Sequence, residues 1–259
     1  MALIDFEIMS PARALPVLLL STCCVYAHAQ QTPAAKPPKT PKGAYYIDAT
    51  KLNAALLLPE PAAVGSAEDK RELAELHRLE KTRTPAQIAA ARADEAGEDI
   101  FAYRTVFGAG FTPEALPITA AVGMHVKNEQ SVAGAQAKLY FHLPRPYQED
   151  KTLHPVCALK EIPDSYPSGH ALTGYLEALT LAEMMPEKRA AIMARADDYA
   201  HNRMVCGVHR HGDVEASRML AYAVFGYMLS TPKFQHDVAQ AAEELHSKLG
   251  MPAKASIER

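Results

Sequence analysis

Residues 216–228 read ASRMLAYAVFGYM, a stretch in which apolar side chains recur with the period of an α-helix. Seven of them fall at positions i, i+3, i+4, i+7, i+8, i+11 and i+12: Ala216, Met219, Leu220, Ala223, Val224, Tyr227 and Met228. A helix with this pattern buries one face against the rest of the protein. The stretch therefore predicts a helix whose apolar face belongs to the core.

Helix start and stop signals occur along the rest of the chain. Thr84, Pro85 and Gln87 together predict an N-cap, a proline at the first helical position and a capping box. Gly250, followed by Pro252, indicates the end of the last helix. Three further prolines fit a first helical position: Thr112-Pro113, Met185-Pro186 and Thr231-Pro232. The sequence has no alternating strand pattern, so we expect an all-α, single-domain helical bundle.

Composition limits the classes of function that this chain can have. Its 259 residues are 48% hydrophobic and 22% charged, which is enough for a proper core. The formal net charge is only −3, without long blocks of like charge. This balance argues against binding of nucleic acid or of an anionic membrane through bulk electrostatics.

The N-terminus has the pattern of a secretory signal peptide. An apolar run from Ala14 to Ala27 follows Arg13 and ends in the cleavage pattern Ala27-His28-Ala29. The run is shorter than the ~20 apolar residues that a membrane span needs. We therefore expect cleavage after Ala29 and export to the periplasm, with no stable membrane span in the mature chain.

Four segments follow from this reading. They are a signal peptide (1–29), a tether rich in proline and lysine (30–43), the folded all-α domain (44–250) and a polar tail (251–259). Cys157 and Cys206 are the two cysteines left after cleavage. In an exported protein such a pair favours a disulfide, although the spacing alone is also compatible with two free thiols.

Two clusters of polar residues in the middle of the chain suit an anion. Lys138 and Arg145 are two helical turns apart and flank apolar residues, so on one helix they would share a face. An ordinary solvated pair of basic residues is the alternative. Ser168, Gly169 and His170 precede an apolar helix whose free N–H groups would face a ligand, or they form a simple helix cap.

A third cluster lies between Arg203 and Asp213. Arg203 continues the helical register of Ile192, Ala196 and Tyr199, which predicts a guanidinium on a mainly apolar face. His209 and Asp213 are one helical turn apart, so the carboxylate could accept the Nδ1 proton and leave Nε2 free as a nucleophile. The alternatives are a surface His/Asp pair and a metal cluster that includes His211.

Together the three clusters resemble the signature of the bacterial class A non-specific acid phosphatases, within the phosphatidic acid phosphatase type 2 and vanadium haloperoxidase superfamily. The family pattern K-x6-R-P, P-S-G-H and S-R-x5-H-x3-D matches Lys138–Pro146, Pro167–His170 and Arg203–Asp213 in order and spacing. The likeness extends upstream through LLPEPAAVGSAEDK (57–70), RTPAQIAAARADE (83–95) and GFTPEALPITAA (110–121). One departure is Asn202, where the signature has serine.

The resemblance implies a periplasmic acid phosphatase that hydrolyses small phosphomonoesters with broad specificity through a phosphohistidine. His209 would attack phosphorus, Asp213 would orient it, and His170 would protonate the leaving alkoxide. The matched residues that would hold the phosphoryl oxygens are Lys138, Arg145, Ser168, Gly169 and Arg203. It also implies an acidic optimum, no metal or other cofactor, phosphate or vanadate as site ligands, and a homodimer.

Two other functions remain open on the sequence alone. A vanadium-dependent haloperoxidase would use nearly the same anion pocket, with His209 as the ligand of vanadate. A non-catalytic periplasmic phosphate-binding protein would bind phosphate through the cations, and His209 and Asp213 would have no role in it. His142, Arg210 and His211 lie inside the motifs without an assigned role, and they either line the substrate entrance or are solvated.

Overall fold

The computed structural model of the chain describes residues 43–250, in which no β-strand occurs. Nine α-helices follow one another in this range: α1 Ala67–Thr82, α2 Pro85–Ala96, α3 Arg104–Phe107, α4 Pro117–Phe141, α5 Pro146–Glu149, α6 Gly169–Met184, α7 Arg189–Val205, α8 His211–Leu229 and α9 Pro232–Leu249. Three 3-10 turns lie at Ala49–Lys51, Ile100–Tyr103 and Pro186–Lys188. The all-α prediction is confirmed. The predicted signal peptide and tail lie outside the described residues.

The centre of the fold is α6, which is buried on nearly all sides. It packs against α7 and α8, and also against α4 and α9. Its sequence is apolar around most of its circumference, and such a helix is stable only when other elements surround it. Gly174 allows α7 to come close, because a Cβ at this position would lie 2.7 Å from the Tyr199 ring.

Most of the predicted helix starts are confirmed. Thr84 and Gln87 form the reciprocal capping box at the start of α2, and α9 begins at Pro232. Gly250 ends α9 in the left-handed region, with φ 65°. Pro186 begins a 3-10 turn, from which α7 continues.

The helix start predicted at Thr112-Pro113 is wrong. These residues form a turn, and α4 begins at Pro117 instead. The carboxylate of Glu244 on α9 accepts hydrogen bonds from the free backbone N–H groups of Ile118 (3.0 Å) and Thr119 (2.8 Å). The start of α4 is thus stabilised by a residue that is distant in sequence.

The face of α8 is rotated slightly from the prediction. Ala216, Leu220, Val224 and Met228 are buried as expected, but Met219 is 48% exposed. The side that contacts α6 instead carries Ser217, whose Oγ donates to the backbone carbonyl of Ser168 at 2.8 Å. A polar residue therefore occupies part of the buried face, where its hydroxyl links α8 to the start of α6.

Cys157 and Cys206 form a disulfide, the pairing that the sequence favoured. The backbone N–H of Val156 also donates to the carbonyl of Cys206 at 3.0 Å. These two links fasten the long loop after α5 to the end of α7, immediately beside Arg203.

Candidate active site

The turn into α6 is held by α8. Ser168 is the N-cap of α6, and its Oγ accepts from the backbone N–H of Ala171. Its own backbone N–H donates to the carbonyl of Asp213 at 3.1 Å. Since the hydroxyl of Ser168 accepts this capping bond, its O–H proton remains available for a ligand. The start of α6 and the start of α8 therefore form one rigid unit.

His209 lies before α8 and not on it, so the predicted contact along one helix is wrong in its backbone geometry. Gly207, with φ 75°, turns the chain so that His209 precedes the helix start at His211. The predicted pairing nevertheless exists, because His209 Nδ1 lies 3.2 Å from Oδ2 of Asp213. Both residues are 1% exposed.

The carboxylate of Asp213 is fixed by three partners on Oδ2. Besides His209, it accepts from Ser165 Oγ at 2.6 Å and from the backbone N–H of Arg210 at 2.9 Å. Burial raises the pKa of Asp213, while the hydrogen bond from Ser165 and the charge of Arg210 favour the ionised carboxylate. The acceptor that orients His209 is thus itself immobilised.

The imidazole of His209 is held neutral. Burial lowers its pKa well below the ordinary value, and the neighbouring cations lower it further: Arg145, Lys138 and Arg203. With Asp213 accepting at Nδ1, the lone pair of a neutral ring lies on Nε2. Arg145 Nη1 is 3.2 Å from this Nε2. A nucleophilic nitrogen therefore lies beside a guanidinium that can bind an anion.

Lys138 and Arg145 converge on Asp164 and do not share a helix face, so that prediction is wrong. α4 ends at Phe141, with His142 in the left-handed region at φ 45°, and Arg145 is the N-cap of α5. Lys138 Nζ donates to the backbone carbonyl of Asp164, and Arg145 Nε donates to its Oδ1 at 2.7 Å. Pro146 accordingly begins a short helix and does not end one.

The surroundings of Lys138 weaken its basicity. Burial lowers its pKa to about 8, against the favourable charge of Asp164. Arg145 is fully buried, whereas Lys138 is half-buried, and Arg145 also donates to the carbonyl of Val208 at 3.3 Å. The solvated-pair alternative is therefore excluded for these two cations. Both are desolvated groups whose charge acts strongly on a bound anion.

Arg203 is buried on α7, as its register predicted. Its Nη2 lies 3.4 Å from Oε1 of Glu95, at the end of α2. Its Nε has no hydrogen-bond partner among the described residues. A buried guanidinium N–H without an acceptor is costly, so an anion in the site would supply the missing acceptor.

His170 occupies the first turn of α6. Its Nε2 lies 3.3 Å from the backbone carbonyl of Glu95, and its Nδ1 lies 3.8 Å from Oε1 of Glu98. Burial and the charge of Arg203 lower its pKa to about 4, and Glu98 opposes this shift. A Cβ at the adjacent Gly169 would lie 3.9 Å from Lys138 Cε, so the helix start and the cations face each other.

The structure brings the eight site residues predicted from the sequence close together. Five of them are buried, and Lys138, Gly169 and His170 are half-buried. Sequence reasoning missed the residues that hold them: Glu95, Glu98, Asp164 and Ser165. Asp164 and Ser165 directly precede the Y-P-S-G-H stretch, and this closeness was an available signal. Glu95 and Glu98 lie about 75 residues upstream of His170, and no local pattern indicates their contact.

The unassigned residues inside the motifs have different positions. Arg210 is buried and donates to Asp69 Oδ1 at 2.9 Å and to Glu149, so it neither lines an entrance nor is solvated. His142 and His211 are exposed. Asn202 donates to Asp94 at 2.7 Å, so its side chain supports α2. No His, Cys, Asp and Glu cluster of residues 43–250 has an arrangement that could hold a metal ion.

The chain matches the PAP2 superfamily over residues 118–237. It is 32% identical over 176 residues to the non-specific acid phosphatase of Salmonella typhimurium, an alignment that covers 64% of this chain and 68% of that protein. The chain belongs to the non-specific acid phosphatases of the PAP2 superfamily. A second relative is the non-specific acid phosphatase of Providencia stuartii, which is 29% identical over 210 residues, with coverage of 77% and 84%.

Two solved structures are also similar. One is the transmembrane PAP2-type phosphatidylglycerolphosphate phosphatase from Bacillus subtilis, with a TM-score of 0.45, 17% identity and coverage of 65% of this chain and 88% of that one. The other is a bacterial vanadium-dependent iodoperoxidase, with a TM-score of 0.45, 19% identity and coverage of 69% and 53%. Within residues 43–250, none of the helices combines the length and the hydropathy that a membrane span requires.

Proposed function

We propose that this PAP2 protein hydrolyses phosphomonoesters through a covalent phosphohistidine on His209. The observation that carries the proposal is the state of this ring. Asp213 accepts at its Nδ1, burial and cations keep it neutral, and its Nε2 faces Arg145 at 3.2 Å. The names of its acid phosphatase relatives support the same reaction.

In the first step, Nε2 of His209 attacks phosphorus, the P–N bond forms and the ester P–O bond breaks. The imidazolium of His170 gives its proton to the leaving alkoxide. Five groups surround the phosphoryl oxygens and bind the charge that develops there: Lys138, Arg145, Arg203, the Ser168 hydroxyl and the backbone N–H at Gly169. These cations supply the electrostatic stabilisation, so the proposed reaction uses no metal ion.

In the second step, water attacks phosphorus and the P–N bond breaks. Neutral His170 takes a proton from this water, which restores the imidazolium, and inorganic phosphate leaves. A bound phosphate dianion stabilises the imidazolium of His170, whose pKa is only about 4 without a ligand. We therefore expect maximal activity on the acid side of neutrality.

The test is hydrolysis of p-nitrophenyl phosphate from pH 4 to 9 in excess EDTA. We expect EDTA-resistant turnover at acidic pH and a loss of roughly 10⁴-fold or more in kcat for His209→Ala. His211→Ala is the matched control, because His211 is an exposed histidine two residues away. Turnover that EDTA abolishes, or equal activity in His209→Ala, would contradict the proposal.

The same pocket should bind inorganic phosphate and vanadate, because both present tetrahedral or trigonal oxygens to the buried cations. Vanadate should inhibit hydrolysis competitively. A vanadium-dependent haloperoxidase would instead oxidise bromide when peroxide and vanadate are supplied. A simple phosphate-binding protein would bind phosphate and show no turnover.

Location and assembly are further parts of the proposal. Export to the periplasm is supported by the apolar run before Ala29 and by the Cys157–Cys206 disulfide, which persists in an oxidising compartment. A mature chain that begins at Gln30 is the expected product. The homodimer rests on the family resemblance.

A further inference from the structure

Glu98 lies between His170 and a second cation. Its Oε1 is 3.8 Å from Nδ1 of His170 and 3.5 Å from the donating hydroxyl of Thr173. Its Oε2 is 3.1 Å from Nζ of Lys127 on α4, and Lys127 also donates to the backbone carbonyl of Glu98. One carboxylate thus contacts the histidine of the site on one side and a lysine outside the site on the other.

Most features around His170 disfavour a positive charge on its ring. The exceptions are Glu95 at the end of α2 and Glu98 just after it. Burial, Arg203 on α7 and Lys160 in the loop after α5 all disfavour the imidazolium, and His209 nearby is neutral. The carboxylate of Glu98 and the carbonyl of Glu95 favour it. Burial opposes ionisation of Glu98, but the charges of His170 and Lys127 outweigh it and lower the pKa of this carboxyl. Glu98 is therefore an anion that faces His170.

We propose that Glu98 is a positioning residue that holds the proton on His170 for the leaving group, and that Lys127 limits this effect by competing for the same carboxylate. The proposal rests on the function proposed above. It adds a residue outside the three sequence motifs, contributed by the segment that follows α2.

The proton balance of the step is simple. In the imidazolium form, Nε2–H faces the carbonyl of Glu95. Oε1 of Glu98 is 3.8 Å from Nδ1, too far for a hydrogen bond, so Glu98 stabilises the ring by its charge and leaves the Nδ1–H free to point at the substrate. The Nδ1 proton passes to the ester oxygen as the P–O bond breaks, and Glu98 remains a carboxylate throughout. When water attacks the phosphohistidine, its proton passes to His170, and the interaction between the imidazolium and Glu98 is restored.

The test compares Glu98→Gln with Lys127→Gln through the pH dependence of kcat/KM. Loss of the carboxylate should move the alkaline limb to lower pH by about one unit, and loss of the lysine should move it to higher pH. Glutamine has nearly the shape of glutamate and can still bond Thr173. Glu98→Asp should restore part of the shift.

A second readout uses the leaving group. A general acid matters most when the leaving alkoxide is basic, so Glu98→Gln should lower kcat/KM for glycerol 2-phosphate at least about tenfold more than for p-nitrophenyl phosphate. A merely structural role would lower kcat/KM for both substrates by the same factor and leave the alkaline limb of the pH profile unchanged. That result would overturn the inference. Shifts of both variants in the same direction would overturn it as well.

NMR titration of ¹⁵N-histidine-labelled protein separates this inference from the proposed function. The pKa of His170 should fall in Glu98→Gln and rise in Lys127→Gln, whether or not the protein turns over phosphomonoesters. If wild type does not hydrolyse phosphomonoesters but both pKa shifts of His170 are observed, only the proposed function is rejected. An unchanged pKa of His170 in both variants would reject only the role of Glu98.

Discussion

At the scale of single residues, the site depends on a few atoms whose protonation is fixed by their neighbours. Three donors meet on one oxygen of Asp213, and one of them is the ring of His209. The sequence predicted this pair from its spacing alone. The position of Ser165 beside the Y-P-S-G-H stretch indicated that it lies near the site, but its contact with Asp213 depends on the turn that brings the start of α6 against α8.

Gly169 gives a prediction at this scale. A Cβ there would lie 3.4 Å from Gln130 Nε2 and 3.9 Å from Lys138 Cε, which are ordinary van der Waals distances. The protein itself therefore tolerates a methyl group, but we expect this group to obstruct an oxyanion bound at the start of α6. Gly169→Ala should keep its Tm within a few degrees and raise KM for p-nitrophenyl phosphate about tenfold. Differential scanning fluorimetry and steady-state kinetics measure the two effects, and unchanged kinetics would show that the cradle does not approach the ligand there.

At the scale of elements, local chemistry predicts helix starts where the cap is made by neighbours in sequence. The capping box of Thr84 and Gln87 is such a case, and it forms as expected. The start of α4 could not be predicted in this way, because Glu244 of the distant helix α9 supplies the acceptors for its free N–H groups. The backbone around Arg145 and His209 was predicted wrongly because the chain turns in the left-handed region at His142 and at Gly207, although both side chains reach the site.

The start of α8 gives the second prediction. The guanidinium of Arg210 is buried and bonds Asp69 on α1, Glu149 on α5 and the carbonyl of Pro144. Arg210→Met would leave two carboxylates without their cation and should lower the free energy of unfolding by about 3–5 kcal/mol. Urea unfolding measures this.

Arg218→Met is the matched control for that variant. Arg218 pairs with Glu215 on the exposed face of the same helix, and 47% of its side chain is exposed. Its loss should cost less than about 1 kcal/mol. Equal losses in the two variants would show that burial of the Arg210 network contributes nothing.

At the scale of the whole molecule, the site is assembled from segments that are far apart in the chain. No single segment forms the site alone. Groups come from α2 and the residues that follow it, α4, α6, α7 and the start of α8. The three motifs were readable because each keeps its spacing within one segment. The contacts of Glu95 and Glu98 with His170 could not be predicted from the sequence, because they form only after α2 packs against α7.

The disulfide gives a prediction at this scale. It closes a loop of 49 residues that contains all of α6 and α7. In the chain-entropy account a loop of that length stabilises the fold by about 4 kcal/mol. The Cys157→Ser/Cys206→Ser variant should unfold at a clearly lower urea concentration than the oxidised protein, and wild type in dithiothreitol should follow the variant. Identical midpoints would contradict this role.

The central claim is the covalent intermediate on His209, and rapid quenching tests it most directly. Wild type mixed with ³²P-labelled phosphomonoester and quenched in alkali should retain protein-bound phosphate that is stable to base and lost in acid, as expected of a phosphoramidate. His211→Ala should retain the label and His209→Ala should not. Wild type that turns over substrate without any acid-labile label, or label that persists in His209→Ala, would contradict the account.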